Sequence, residues 1–304
     1  MSGKYFLLTA LLTLAIVGTL SCQPPASNPR KSIVVTYSIL GSIVKELVGD
    51  EATVTVSIPN GLDPHEWEPS AKDIEAINKA DMVIQNGLNL ESGMEKTLWT
   101  AKNKGVKFFT AAEHITVRRV GPGEGIPSGD PDQVVGAADP HLWMDPAAIK
   151  SVVSALSPRL KQDLDIDVTS QALNLESRLD DLDKGLTETV AVIPPEDRKL
   201  VTGHESMGYF ARRYGFKVVG VIIPSLSTQA EVSAADLAAL KKSIQDNHVK
   251  AIFTELGTSP AVANAIAAET GVRTVELTTH TLPGDGSYFT FMRNIASVIT
   301  DALK

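Results

Sequence analysis

Two stretches of the chain repeat one frame. Asp63-Pro64-His65-Glu66-Trp67-Glu68-Pro69 and Asp139-Pro140-His141-Leu142-Trp143-Met144-Asp145-Pro146 share D-P-H-x-W, and each ends in an acid followed by proline. Only six histidines occur in 304 residues, so two in one repeated frame ask for a chemical reason. Proline before histidine biases the preceding aspartate towards extended backbone and stiffens the loop, which presents an imidazole instead of burying it in a helix. Two presented imidazoles are metal-ligand chemistry, and both are expected to face one ion.

The elements that must position them follow from hydrophobic pattern. From position 33, short β-branched runs alternate with amphipathic stretches, the mark of βα units and a mostly parallel sheet. Strands are predicted over 33–37, 52–58, 82–85 and 106–110, with helices over 39–48, from Ser70 onward and over 90–103. Ser70-x-x-Asp73 is a capping-box-like start. Positions 121–136 hold five glycines and three prolines without periodicity and are read as a solvated connection. A helical pattern runs from Pro146 to Leu160. Leu175, Leu179, Leu182, Leu186, Val190 and Ile193 then recur at steps of three or four, predicting one long helix over 168–193, stopped by Pro194-Pro195 and about 40 Å long. A second βα series follows, with strands over 200–202, 217–223, 250–254 and 273–277. Helices over 205–214, 233–247, 260–269 and 287–303 complete it.

The expected fold is α/β: two lobes, each a mostly parallel sheet flanked by helices, joined by one long rigid helix, with a metal site in the interlobe cleft. The expected boundaries are an export signal over 1–21, a tether over 22–32, a first lobe over 33–165, the linking helix over 166–195 and a second lobe over 196–304. Ligands of open α/β sheets sit beyond the carboxyl ends of the strands. His65 and His141 belong to the first lobe by this map. His204 follows the first strand of the second lobe, in Thr202-Gly203-His204-Glu205, and His280 follows its last, in Thr278-Thr279-His280-Thr281. His114 and His248 lack a supporting motif and are read as bystanders.

A nitrogen-dominated set of His65, His141, His204 and His280 suits zinc. The acids of the two frames, Asp139 and Asp145 or Asp63 and Glu68, are placed to hold an imidazole N–H and fix its tautomer. Trp67 and Trp143 are expected to wall the site or to pack in the lobe cores.

These motifs resemble the metal-specific solute-binding proteins of bacterial ABC importers, the zinc, manganese and iron group of cluster A-I lipoproteins. The matching pieces are G-x-D-P-H-x-x-E-P from Gly61 to Pro69, D-P-H-x-W-x-D-P from Asp139 to Pro146, and G-H-x-x-x-G-Y-F from Gly203 to Phe210. Asp285-Gly286-Ser287-Tyr288 lies before the final helix. They span the chain after its leader in the family's order. The resemblance implies that His65, His141 and His204 are ligands, and that His204, where manganese and iron members often carry glutamate, leans towards Zn2+ over Mn2+ or Fe2+. The fourth place departs from the family, in which many members have an aspartate. His280 is the expected occupant, with water or Asp285 as alternatives. A second-lobe disulfide common in the family is absent.

Composition sets the remaining bounds. A net charge of −8 argues against nucleic acid as partner, and 43% hydrophobic residues supply a core. Lys4 followed by an apolar run to Leu20 and then Ser21-Cys22 reads as an export signal. Cys22 is the sole cysteine, so no internal disulfide forms, and it stands where a lipoprotein signal is cleaved and acylated. The expected protein is a monomer at the cell surface or in the periplasm that captures a divalent metal and delivers it to an ABC permease. The alternative from another class is a zinc hydrolase with Glu66 or Glu205 as general base. It would need an open coordination position, and no H-E-x-x-H occurs.

Overall fold

The computed structural model describes residues 30–121 and 135–304. The export signal over 1–21, Cys22, most of the tether and most of the loop at 121–136 lie outside the described residues.

The first lobe is one four-stranded parallel sheet in the order β2-β1-β3-β4, built from β1 (Lys31–Tyr37), β2 (Ala52–Ile58), β3 (Met82–Gln85) and β4 (Lys107–Thr110). The central strand β1 is buried on both faces from Ile33 onward, which explains its continuous β-branched run. Helices α1 (Ser38–Val48), α2 (Ala71–Lys79) and α3 (Glu95–Asn103) flank the sheet. Helix α2 starts with the capping box read from Ser70 and Asp73. The predicted helix over 90–103 divides into a short 3-10 turn, Ser92–Met94, and α3.

Helix α4 (Pro146–Leu164) has Pro146 in its first turn and Asp145 capping the Ala147 N–H at 2.9 Å. It runs antiparallel to α5 (Thr169–Val190), with Lys150 bound to Asp180 and Ser154 to Glu176. The stripe on α5 is buried from Ala172 to Val190 as its periodicity requires. Its 22 residues give about 33 Å, shorter than the 40 Å expected. The helix ends before Pro194-Pro195 because a residue preceding proline disfavours helical backbone.

The second lobe carries β5 (Lys199–Thr202), α6 (Gly208–Tyr214), β6 (Lys217–Val221), α7 (Ala234–Asp246), β7 (Ala251–Thr254), α8 (Pro260–Thr270), β8 (Arg273–Glu276) and α9 (Tyr288–Leu303). In place of one sheet it forms two parallel ladders, β5–β6 and β7–β8, with β5 lying beside β7. A register shift between Leu200 and Val201 interrupts the first ladder. Helix α6 starts at Gly208, later than expected, because side-chain hydrogen bonds hold the backbone of Gly203 and His204 in a loop.

The long helix is not the only tie between the lobes. Helix α9 packs against α5 and α1, and its Tyr288 N–H donates to Ser42 Oγ at 3.2 Å. A single hydrophobic core runs from the first sheet through α4, α5 and α9 into part of the second lobe, and a smaller core fills the rest. Asn60 adds a reciprocal pair of bonds to the Leu282 backbone, at 2.9 and 2.8 Å.

Candidate metal centre

The repeated frame builds the same local device twice. In each, the aspartate Oδ1 accepts the backbone N–H of the histidine two residues on, at 2.9 Å. These are Asx turns, closed by the proline between. His65 is further fixed by Ser92 Oγ, which donates to its carbonyl at 3.0 Å.

The second frame goes further. Asp139 Oδ1 also lies 2.8 Å from His141 Nδ1, and Asp139 Oδ2 accepts from Arg118 Nη1 at 2.9 Å. The carboxylate has no proton to give, so His141 Nδ1 carries the hydrogen and Nε2 presents a bare lone pair. Arg118 is itself held by its backbone N–H, which donates to Tyr209 Oη at 2.9 Å.

On the opposite side, a buried glutamate organises both histidines of the second lobe. Glu255 Oε1 accepts the N–H groups of Gly203 and His204 at 2.8 and 3.2 Å. Ser206 Oγ donates to Glu255 Oε2 at 2.5 Å, and Thr279 Oγ1 donates to the same oxygen. With its one hydrogen directed to Glu255, Thr279 Oγ1 is left to accept from His280 Nδ1, 2.9 Å away. That leaves His280 Nε2 bare, buried and without a hydrogen-bond partner.

All four histidines are buried, and one nitrogen from each lies within 4.8 Å of every other. His141 Nε2 is 3.3 Å from His65 Nε2 and 3.1 Å from His204 Nε2. Ligands about 2.0–2.1 Å from a tetrahedral zinc stand about 3.3 Å apart, so these two edges already have the spacing such an ion requires. The single lone pair of His141 Nε2 can accept from one neighbour, not two. A cation between the rings satisfies all of them. Burial drives His65, His204 and His280 well below their ordinary pKa, and the positive charge of neighbouring imidazoles adds to the effect. These three rings are therefore held neutral, the form that binds metal.

The other predicted residues sort cleanly. Asp139 holds an imidazole as expected. Asp145 instead caps α4, Asp63 holds backbone only, and Glu68 is exposed. Trp143 is fully buried beside His141 and His280, with ring centroids 5.3 and 5.4 Å away, and its Nε1–H donates to the Thr279 carbonyl at 3.0 Å. It both walls the site and packs the core. Trp67 is half-buried against the core. Asp285 is exposed and bonds Ser287 and Thr290 at the start of α9, outside the cluster, while His280 lies within it. His114 stacks on Phe109, and His248 sits at a helix exit. Arg118 and Glu255 were not legible as site residues. Glu255 had one faint signal, an acid at the carboxyl end of a strand, and Arg118 had none.

Two α/β halves that close a buried cluster of four imidazoles between them define a solute-binding protein for a transition metal. The comparisons agree. The chain belongs to the ZnuA family, zinc-uptake complex component A, periplasmic, whose model matches residues 33–302. It is 31% identical over 284 residues to the high-affinity zinc uptake system protein ZnuA of Bacillus subtilis, covering 91% of this chain and 88% of that protein. It is 25% identical over 244 residues to the manganese-binding lipoprotein MntA of Halalkalibacterium halodurans, covering 79% and 76%. The solved periplasmic zinc-binding protein TroA of Treponema pallidum superposes with a TM-score of 0.78 at 26% identity, covering 90% of this chain and 99% of that one. The chain is thus a metal-binding component of an ABC importer and not an enzyme. The hydrolase alternative falls with that assignment, and with it a catalytic role for Glu66 or Glu205.

Proposed function

We propose that this protein captures Zn2+ outside the cytoplasmic membrane through His65, His141, His204 and His280 and hands it to a membrane permease. The observation that carries this is the approach of two imidazole nitrogens to the one lone pair of His141 Nε2. Four nitrogen donors with no carboxylate among them favour zinc over Mn2+ or Fe2+. The protein acts as a monomer, tethered by a lipid on Cys22. Among the described residues no helix is long and apolar enough to cross a membrane.

The test is metal content after purification without added metal. One zinc per chain is expected, together with a clear loss of zinc affinity in His280→Ala. Absence of zinc, or tighter binding of manganese than zinc in direct competition, would sink the zinc assignment. An unchanged affinity in His280→Ala would return the fourth place to water.

Asp139 gives a second expectation. Asp139→Asn removes the charge that holds His141 Nδ1–H and breaks the ion pair with Arg118, without touching a ligand atom. Zinc affinity should fall about 10- to 100-fold with stoichiometry kept at one, as measured by competition with a chromophoric chelator.

A further inference from the structure

The two D-P-H frames make identical Asx turns, yet their aspartates differ in one atom. Asp139 Oδ2 is paired with Arg118. Asp63 Oδ2 is shut off from solvent and makes no hydrogen bond of normal geometry, although the Thr228 hydroxyl stands near enough to favour its ionised form. Across the lobe boundary, the Thr228 hydroxyl is in the same state, buried and unpartnered. Both flank one point. A Cβ built on Gly257 would stand 3.3 Å from Asp63 Oδ2 and 3.1 Å from Thr228 Cβ. An unpaired acceptor on the first lobe therefore faces an unpaired donor on the second, and leaving both unpaired in a buried place is costly.

Thr228 belongs to a loop whose shape is set within its own lobe. Ser225 O accepts the Glu205 N–H at 3.0 Å, Ser225 Oγ accepts the Ser227 N–H at 3.0 Å, and Ser227 Oγ accepts the Gln229 N–H at 3.2 Å. So braced, the loop moves with the second lobe as one piece. With Leu88, Asn89 and Ser92 of the first lobe it encloses a cavity of about 230 Å³ that opens onto His65. Leu88 and Asn89 both hold left-handed backbone, at φ 57° and 62°, so this rim is locally strained.

Resting on the metal-capture reading above, we propose that Asp63 is a positioning residue with two duties. Its Oδ1 sets the His65 loop, and its Oδ2 accepts a hydrogen bond from Thr228 when the lobes close on the metal, seating residues 225–230 over the ion. A hydroxyl bonded to a carboxylate is among the stronger hydrogen bonds, and it forms where water is excluded. Neither atom is a metal ligand. The bond is a latch that sets how long the metal stays, leaving the number and type of ligands unchanged.

The test compares zinc release from the full-length protein, wild type against Thr228→Val and Thr228→Ser, by stopped-flow transfer to excess chelator. Thr228→Val should release zinc about tenfold faster, while it still loads one zinc and shows the wild-type absorption spectrum with Co2+. Thr228→Ser, which restores the hydroxyl, should release within twofold of wild type. Thr228→Ala, which removes the hydroxyl without adding a second methyl group, should also speed release, so it carries the test if Thr228→Val fails to fold. Equal release rates with full loading would overturn the latch alone. Failure of the wild type to load zinc would overturn both the latch and the capture reading.

Discussion

Replacing His141 with alanine is expected to cost zinc affinity about a hundred- to a thousandfold, more than replacing any other histidine of the cluster. Binding at structural zinc sites is worth about 10–16 kcal/mol, so an even share for one of four ligands is about 3–4 kcal/mol, or two to three factors of ten. His141 should stand above that share because its orientation is already set. Asp139 fixes its tautomer, Arg118 fixes Asp139, and its Nε2 lies within 3.3 Å of two other ligand nitrogens. Little ordering is left for the metal to impose there. His280 lacks such a close neighbour and hangs on a hydroxyl, so its loss should cost less. The fold should survive His141→Ala, since Asp139 retains Arg118 and the crowding of nitrogens is relieved. A chelator competition titration settles the ranking. An affinity within tenfold of wild type for His141→Ala, in a variant with native circular dichroism, would refute it.

That ranking was only partly legible in the residues. The frames showed that His65 and His141 are presented by stiff loops, because proline acts on its immediate neighbours and its effect can be read locally. The α5 stripe was legible for a similar reason, since period alone decides which face is buried. What could not be read is whatever depends on atoms meeting across the fold. Asp63 and Asp139 occupy the same place in the same frame, yet only Asp139 reaches an imidazole, because Arg118 pulls its second oxygen into place from a distant loop. Glu255 is far in sequence from every residue it organises, and four donors converge on it only after β5, β7 and the segment before α9 come together. Asp145 looks like a partner for the imidazole two residues before Trp143, but the start of α4 takes it as a cap. Local backbone demand wins there over the site.

Without metal, the protein should lose stability steeply as pH falls below about 6.5, the ordinary histidine value. Burial holds His65, His204 and His280 far below that value in the folded state, with repulsion from neighbouring imidazoles adding to it. The sign follows from proton counting. Between the folded and unfolded pKa values the unfolded chain binds more protons, so stability rises with pH and is lost on acidification. Each such histidine contributes a slope of about 1.4 kcal/mol per pH unit, or about 4 for three acting together. For a chain of this size that is a fall in melting temperature on the order of 10 °C per pH unit. Four carboxyls act in the opposite sense. Burial raises Asp63 and Asp145 above their ordinary 3.8, and Glu91 and Glu255 above their ordinary 4.5, so their protonation favours the folded state. The histidine window therefore opens below pH 6.5 and softens as these carboxyls take up protons. Calorimetric melts of metal-free protein between pH 7 and 5 measure it, and His204→Gln should remove about a third of the slope. Bound zinc holds the rings neutral and should flatten the curve until protons displace the ion. A melting temperature that stays level from pH 7 to 5 in the metal-free protein would mean that the cluster is hydrated and open, not the dry, closed set of imidazoles that makes it selective for a cation.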